Sequence, residues 1–256
     1  MRDTKRRRSV EATADKKDRL DKLLVDLKLA PTRAKAQALI LAGRVKVDSH
    51  VVDKAGASVK PGSSIEVAGG SEFASRGGEK LEHAIGHFHG RIKDKVALDV
   101  GASTGGFTDC LLQHGARKVY ALDVGYGQLA WAIRNDPRVV VMERTNARAL
   151  TRDMFEELPQ LAAIDVSFIS LTLVLPPVAR VLTDDGEIFA LIKPQFEAGR
   201  KHVGKGGVVR DPAVHEQTVE KIVRFARDLG LTSKGVVESP LLGPAGNKEF
   251  FVNLVK

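Results

Sequence analysis

Residues 96–112 restrict the fold of this chain more than any other stretch. They read as an apolar strand, Val96–Val100, then a glycine-rich loop from Gly101 to Asp109, and then the beginning of a helix at Cys110. Strand, glycine loop and helix in this order are typical of the first turn of a doubly wound sheet, where a nucleotide-like ligand meets the carboxyl ends of the strands. The pattern therefore predicts an α/β fold with a ligand site at this loop.

The glycine spacing separates three kinds of ligand. A dinucleotide site needs G-x-G-x-x-G so that the backbone can approach the pyrophosphate, but Ser103 occupies the second glycine position. A phosphate loop needs a lysine after its last glycine, whereas Phe107 follows Gly106. A cofactor without phosphates fits better. Asp99 and Asp123 suggest a cationic or hydroxyl-bearing ligand, although Asp123 alone is equally compatible with a nicotinamide cofactor.

Four further ionisable residues lie where a strand ends or where a helix or strand begins: Lys80, Asp165, Lys193 and Glu249. Any one of them alone is more often a solvated charge. Together they occupy the positions at which an open α/β sheet carries its chemistry. A sugar hydroxyl needs a positioned acceptor for its proton. A lysine normally titrates near ~10.4, and a nearby carboxylate orients it, whereas a second ammonium favours its neutral form.

The first quarter of the chain predicts a small α+β module. The spacing of Leu20, Leu23, Leu24 and Leu27 is that of one helical face. A second helix is expected between Thr32 and Gly43, and short strands are expected at 44–47, 51–52 and 65–67. Through Glu72 there are 16 Lys and Arg against 10 Asp and Glu, so +6 of the whole-chain charge of +8 lies here. A polyanion is the natural partner, although charge alone does not distinguish RNA from DNA or anionic lipid.

Length and composition favour a globular protein of two modest domains. The chain has 256 residues, of which 43% are hydrophobic and 28% are charged. No apolar run approaches the roughly 18 residues that cross a bilayer, and the charged N-terminus lacks the apolar segment of a signal peptide. Cys110 is the single cysteine, which agrees with a reducing compartment. We therefore expect a cytoplasmic protein that has no membrane partner.

Two sets of motifs resemble known families. The segments RLDKLLVDLKLAPTRAKAQALILAGRVKVD and VKPGSSIEV resemble the S-four-like RNA-binding domain. The segments SRGGEKL, DVGASTGGFTDCLLQHGARKVYALDVG, AIDVSFIS, LIKPQFE, GGVVRDPAVH and GNKEFF resemble the TlyA and FtsJ-like family of RNA 2′-O-methyltransferases over nearly the whole second part.

The resemblance implies a domain organisation and a cofactor. It implies an S-four-like α+β RNA-binding domain at 18–67, a linker at 68–74 and an FtsJ-like, Rossmann-like methyltransferase domain with a seven-stranded sheet at 75–256. The basic tail at 1–17 lies outside the matched segments, and we expect it to be disordered. It implies S-adenosylmethionine as the cofactor, bound by Asp99, Gly101, Ser103, Gly105, Gly106, Phe107, Asp123, Asn146 and Ala147. The residues expected to contact RNA are Arg33, Lys35, Arg44 and Lys46. No metal is expected.

The resemblance also implies a reaction, the methylation of a ribose 2′-hydroxyl in ribosomal RNA, at cytidine. A tetrad of Lys80, Asp165, Lys193 and Glu249, in that order, would carry it. We hypothesise that Lys193 accepts or steers the hydroxyl proton and that Asp165 orients Lys193. Lys80 and Glu249 would hold the target ribose. A metal is not required, because a methyl group on a sulfonium is already activated, and catalysis would rest on placing the oxygen in line with it.

Other functions remain open at this point. The chain could be a non-catalytic RNA-binding or ribosome-assembly factor with an inactive methyltransferase fold. A weaker alternative is a cytolysin, which the haemolysin label of the family suggests. Methylation at a pyrimidine carbon would need a thiolate, but Cys110 follows the glycine loop in a helix, where a small buried hydrophobe is the commoner use.

Overall fold

The computed structural model describes residues 10–30, 32–41, 43–67 and 73–256 of the chain. The chain divides into two compact units, Met1–Glu72 and Phe73–Lys256.

In its described residues, the first unit contains two helices and six short strands. In chain order they are β1 (Val10–Thr13), β2 (Asp18–Arg19), α1 (Leu20–Asp26), α2 (Arg33–Leu41), β3 (Val45–Val47), β4 (His50–Val51), β5 (Ser58–Val59) and β6 (Ser64–Val67). Antiparallel pairing gives a sheet in the order β1-β6-β3-β4, and β2 pairs separately with β5. The two predicted helices and the strands around 44–52 and 65–67 are thus present.

The core of this unit forms as the leucine spacing predicts. Leu20, Leu23 and Leu24 on α1 are fully buried and pack with Ile40 of α2 and Ile65 of β6. An amphipathic helix of seven residues would be marginal by itself, so this packing is what stabilises α1.

Strand β1 lies within the tail predicted at 1–17 and corrects that prediction. Residues 10–13 pair with β6 in the register Val10↔Val67 to Thr13↔Ser64, and Ala14 is buried in the core of the unit. The sequence pattern did not indicate this strand, because charged residues lie near both of its ends and because an edge strand pairs through its backbone groups, which leave no apolar pattern in the sequence. The remainder of the tail, residues 1–9, and residues 68–72 of the predicted linker lie outside the described residues.

The second unit is a seven-stranded sheet with helices on both faces. Its strands are β7 (Val96–Val100), β8 (Lys118–Leu122), β9 (Val139–Met142), β10 (Leu161–Ile164), β11 (Glu187–Ile192), β12 (Thr232–Glu238) and β13 (Phe250–Val255). Its helices are α3 (Arg76–Phe88), α4 (Gly106–Gln113), α5 (Trp131–Arg134), α6 (Leu171–Val181), α7 (Pro194–Glu197) and α8 (Pro212–Asp228). The strand order is β12-β13-β11-β10-β7-β8-β9.

Five strands of this sheet, β7 to β11, are parallel, and β13 runs antiparallel between β11 and β12. The chain passes from β7 outward to β9 and then returns to the other side of β7 with β10. This reversal is the topological switch point at which open α/β sheets bind ligands. The predicted fold, a mainly parallel seven-stranded sheet that ends in an antiparallel strand, is confirmed.

Successive side chains of β7 point into two separate cores. Val96, Leu98 and Val100 pack in the core that includes α6 and α8, whereas Ala97 packs in the core beneath α3 and α4. Both faces of the strand are buried, which explains its almost continuous apolar sequence. Asp99 lies on the same face as Ala97 because side chains alternate along a strand.

The second unit begins at Phe73, two residues before the predicted domain start. The Phe73 ring is buried in the core beneath α3 and α4, and it occupies the space that a side chain at Gly78 would need, since a Cβ there would lie 2.2 Å from the ring. Phe73 and Ala74 therefore belong to this unit rather than to the predicted linker.

Candidate active site

The glycine loop after β7 approaches other backbone too closely for side chains. Gly101 has φ +90°, and a Cβ on it would lie 2.3 Å from the carbonyl oxygen of Asp165. Gly105, with φ +94°, precedes the first turn of α4, and a Cβ on Gly106 would lie 2.2 Å from the Ser75 hydroxyl. Glycine tolerates these conformations and distances at no steric cost. The loop is thereby pressed against the end of β10, where Asp165 follows the strand.

Asp123 follows β8 and is held by two main-chain amides. Its Oδ2 accepts a hydrogen bond from the Ser103 amide at 2.8 Å, and its Oδ1 accepts one from the Gly125 amide at 2.7 Å. A carboxylate has about four lone-pair positions, so both oxygens can still accept hydrogen bonds from a ligand. The carboxylate is therefore fixed in orientation and remains available to hydroxyl groups.

A cavity of about 1000 Å³ opens beside Asp123. Gly101, Ser103, Asn146 and Ala147 also line it. The Asn146 side chain accepts a hydrogen bond from the Arg148 amide at 3.0 Å and so begins a short 3-10 turn at Ala147. Five of the predicted cofactor residues thus share one cavity.

An adjoining cavity of about 560 Å³ contains all four residues of the predicted tetrad. Lys80 extends from α3, Asp165 follows β10, Lys193 follows β11, and Glu249 precedes β13. Gly101, Ser103 and Asp165 line this cavity as well as the larger one. The ligand loop and the four ionisable residues are therefore parts of one continuous site.

The tetrad consists of two ion pairs. Lys80 Nζ lies 2.5 Å from Glu249 Oε2, and the two side chains are 10% and 0% exposed. Lys193 Nζ lies 2.5 Å from Asp165 Oδ1 and donates a hydrogen bond to the Ser167 hydroxyl at 3.0 Å. Each lysine therefore has its own counter-charge.

The second oxygen of Glu249, Oε1, is buried and has no hydrogen-bond partner among the residues that the structure describes. A Cβ at Gly243 would lie 2.4 Å from this atom, so the absence of a side chain there leaves the Oε1 atom its space. A buried acceptor without a partner is costly, and such atoms in native structures call for an explanation. A hydroxyl group of a bound substrate would satisfy it.

Comparison with known proteins places this site in a family. Residues 73–256 match the model of FtsJ-like methyltransferases, and residues 18–65 match that of the S4 domain. The chain belongs to the FtsJ-like methyltransferase family. It is therefore a methyltransferase, and its FtsJ-like domain carries the two cavities.

Full-length relatives share both parts of the chain. The 16S/23S rRNA (cytidine-2′-O)-methyltransferase TlyA of Mycobacterium tuberculosis is 48% identical over 236 residues, which are 91% of this chain and 88% of the relative. The candidate rRNA methyltransferase YqxC of Bacillus subtilis is 49% identical over 241 residues, covering 93% of this chain and 86% of the relative. A solved structure of a candidate hemolysin from Streptococcus thermophilus superposes with a TM-score of 0.75 at 44% identity, covering 95% and 90% of the two chains.

S-adenosylmethionine is the cofactor of the FtsJ-like domain, and the residues of the larger cavity fit it. The Asp123 carboxylate, fixed by two amides, can accept hydrogen bonds from ribose hydroxyls. Ala147, beside Asn146, offers an apolar wall, and the glycine loop leads from this cavity into the one that holds the tetrad. Gly106 and Phe107 line the tetrad cavity, close to the same loop.

Two predicted cofactor residues, Asp99 and Gly105, line neither cavity. Asp99 is fully buried, and its Oδ2 accepts a hydrogen bond from the Thr108 hydroxyl on α4 at 2.6 Å. Burial raises the pKa of Asp99 to about 7. The side chain therefore fastens α4 to β7 behind the loop, and Gly105 contributes a backbone conformation rather than a lining atom.

Three residues that line both cavities were not predicted from the sequence: Ser167, Phe168 and Phe196. The centroids of the Phe168 and Phe196 rings lie 5.0 Å apart. Phe168 is 90% exposed and has φ +63°, an uncommon conformation for a bulky residue. All three lie inside the motifs AIDVSFIS and LIKPQFE. From the sequence alone, an aromatic residue in such an apolar motif is expected to lie in the hydrophobic core rather than in a cavity wall.

The residues predicted to contact RNA lie in the S4 domain and differ in their exposure and in their ion pairs. Arg33 pairs with the buried Asp21 at 2.9 Å, so it joins α2 to α1. Lys46 lies 3.9 Å from Glu66 on the neighbouring strand. Lys35 is exposed on α2, and Arg44 is half-buried just before β3. Contact with RNA stays a prediction for all four residues.

In the described part of the chain, one group of side chains has the composition of a metal site: Glu82, Cys110 and His114. However, the Glu82 and His114 ligand atoms lie 2.5 Å apart, the distance of a hydrogen bond. Two tetrahedral ligands at ~2.0–2.2 Å from one zinc ion would be separated by roughly 3.3 Å. The group is therefore better described as a carboxylate–imidazole pair beside a buried thiol. Over the same described residues, no helix combines the length and apolarity needed to span a membrane.

Proposed function

We propose that this protein methylates the 2′-hydroxyl of a cytidine ribose in ribosomal RNA. The observation that carries the proposal is the cavity in which two lysine–carboxylate pairs adjoin the cofactor loop. The curated relative from Mycobacterium tuberculosis, which bears the name of this activity, supports the same substrate.

The geometry suggests a role for each member of the tetrad. The bound cofactor supplies an activated methyl group. Lys193 receives the proton of the attacking hydroxyl as a neutral amine or steers that hydroxyl as an ammonium, and the Asp165 carboxylate at 2.5 Å orients it. The unpartnered Oε1 of Glu249 accepts a hydrogen bond from the ribose, while Lys80 neutralises the charge of this buried carboxylate. The rate gain then comes from alignment of the oxygen as well as from proton transfer.

The first unit supports RNA as the substrate. The first unit, which includes the S4 domain, carries +6 of the whole-chain charge of +8, and basic side chains displace counterions from a phosphate backbone. We infer that the chain acts on ribosomal RNA, either free or within ribosomal subunits, because single nucleosides would not need a separate RNA-binding module. A ribosomal substrate also implies that the protein works in the cytoplasm.

Transfer of labelled methyl groups tests the proposal. Purified protein is incubated with labelled S-adenosylmethionine and ribosomal subunits from cells that lack the gene, and the modified nucleotide is mapped in the RNA. We expect label on a cytidine 2′-oxygen with the natural protein and none with Lys193→Ala. If the folded natural protein binds the cofactor and the subunits but transfers no methyl group, it would instead be a non-catalytic assembly factor.

A further inference from the structure

A buried carboxylate outside the two cavities connects the segments that carry Asp165 and Lys193. Glu197 is the last residue of α7, is 7% exposed and lines neither cavity. Its Oε1 accepts a hydrogen bond from the Leu171 amide at 2.6 Å. Its Oε2 accepts hydrogen bonds from the Ser170 hydroxyl at 2.6 Å and from Lys221 Nζ at 3.3 Å.

These partners belong to two different segments of the site. Ser170 is the residue that caps α6, five positions after Asp165. Glu197 itself lies four positions after Lys193, at the end of the single helical turn that follows β11. One carboxylate therefore ties the segment after β10 to the segment after β11, and Asp165 and Lys193 form their ion pair between these same segments.

Helix α8 supports this connection from behind. Lys221 donates to the main-chain oxygen of Glu197 at 2.9 Å as well as to its carboxylate, so the ammonium holds both ends of the residue. Hydrogen bonds to an ionised acceptor are about twice as strong as neutral ones, and a buried carboxylate is retained only where such donors compensate its desolvation. An amide cannot replace it, because in either orientation its NH₂ group would face a donor, the Leu171 amide or the Lys221 ammonium.

We propose that Glu197 is a positioning residue for methyl transfer: it holds the segments bearing Asp165 and Lys193 in register so that the Lys193 amine points at the attacking hydroxyl. The inference rests on the proposed function for its chemistry, but it makes a structural claim about the Asp165–Lys193 pair that is independent of activity. Glu197 touches neither the cofactor nor the substrate and acts only through the residues that do.

The test compares Glu197→Gln with a matched control. Asp211→Asn removes another helix-capping carboxylate, one that accepts a hydrogen bond from the Ala213 amide at 2.9 Å at the beginning of α8 but binds no segment of the site. In single-turnover methyl transfer at saturating cofactor and RNA, we expect Glu197→Gln to lose about 10- to 100-fold in rate, the size of effect that a misplacement of about 1 Å produces. The Asp211→Asn rate and the cofactor affinity of both variants should stay near those of the natural protein. Glu197→Asp, which keeps the carboxylate, should recover part of the rate.

A second readout is independent of catalysis. The side-chain resonance of Lys193 is followed against pH by NMR in isotopically lysine-labelled protein, and it is assigned by its loss in Lys193→Arg. We expect the pH dependence of this resonance, and the pH profile of the transfer rate, to change in Glu197→Gln but not in Asp211→Asn. An unchanged resonance in folded Glu197→Gln would overturn the proposal, even if that variant were slower or less stable. A natural protein that transfers no methyl group would refute the proposed function, and the NMR comparison would still decide whether Glu197 positions Lys193.

Discussion

The Lys80–Glu249 pair offers a prediction whose size follows from its burial. The two charged atoms lie 2.5 Å apart, and the Glu249 side chain is completely buried. Replacing Lys80 by Met keeps the apolar stem but leaves Glu249 ionised without a counter-charge. The protein can escape this cost by protonating the carboxylate. Protonating a group that ordinarily titrates near ~4.3 costs about 3.7 kcal/mol at pH 7, so this figure is the upper limit of the loss.

Glu249→Gln gives the complementary case. The Lys80 ammonium is then left without its partner, and it can be neutralised by loss of a proton. For a group that ordinarily titrates near ~10.4 this costs about 4.6 kcal/mol at pH 7. The 10% exposure of Lys80 should make the actual loss smaller, because the long side chain can turn its amine toward solvent. The double variant has no buried charge, and we expect it to fall within about 1 kcal/mol of the natural protein, as replaced buried pairs often do.

Denaturant unfolding, followed by circular dichroism, gives the free energy of unfolding of the natural protein, the two single variants and the double variant. The dependence of this free energy on denaturant concentration should be the same in all four proteins, which shows that the same transition is observed. The Lys80→Met deficit should shrink as the pH is lowered from 7 to 5, because protonation of Glu249 becomes cheaper. Additive losses in the double variant, or a Lys80→Met deficit that does not change with pH, would refute the reasoning that the pair matters through uncompensated charge.

Three further predictions concern the reaction, the loop and the buried acid. Lys193→Ala should reduce the rate of methyl transfer about 10²- to 10⁴-fold, as loss of a general base does, with cofactor affinity by calorimetry unchanged. Gly101→Ala should lower the free energy of unfolding by at least about 2 kcal/mol and abolish cofactor binding, because the new Cβ would lie 2.3 Å from the Asp165 carbonyl oxygen. Gly230→Ala is the control: φ is also positive there, but no described atom lies within 4 Å of the new Cβ, so only the backbone strain should be lost from the stability. Because burial raises the pKa of Asp99 to about 7, this carboxyl keeps its proton between about pH 4 and 7 in the folded protein but loses it in the unfolded chain. The free energy of unfolding should therefore fall as the pH rises through this range, by at most about 1.4 kcal/mol per pH unit. Thermal unfolding of Asp99→Asn should lack this part of the slope, and equal slopes would contradict the assignment.

The parts of the fold that could be predicted are those in which local pattern and burial agree. The apolar run of β7 followed by the glycine loop is typical of the first turn of a doubly wound sheet. The leucine spacing of α1 is likewise typical of a helix with one buried face. Strand β1 could not be predicted, because its pairing with β6 connects segments more than 50 residues apart and only two of its four residues are apolar. The start of the second unit at Phe73 was missed for a related reason, since its burial depends on the absence of a side chain at Gly78.

Within the site, residue types were easier to predict than contacts. Asp99 and Asp123 both carry a carboxylate near the glycine loop, but Asp123 lies just after the end of its strand and reaches the cavity. Asp99 pairs with Ala121, two positions earlier in the register, and is buried beneath α4. The difference therefore comes from the position relative to the strand end: a residue inside the strand is covered by α4, whereas a residue in the loop after the strand is open to the cavity. Glu197 could not be recognised at all, because its importance lies in partners on α6 and α8 rather than in its own segment.

The position of Glu249 shows how the sheet itself assembles the tetrad. Asp165 and Lys193 follow parallel strands, so the carboxyl edge of the sheet brings them together. Glu249 instead precedes its strand, and in a parallel strand it would lie at the opposite edge. Because β13 is antiparallel and pairs with β11 in the register Ile192↔Phe250, the residue before β13 lies beside the residue after β11, which is Lys193. The antiparallel strand is therefore what allows a carboxylate from the end of the chain to meet Lys80, and a shift of this register by one residue would turn Glu249 to the other face of the sheet and separate the two ion pairs.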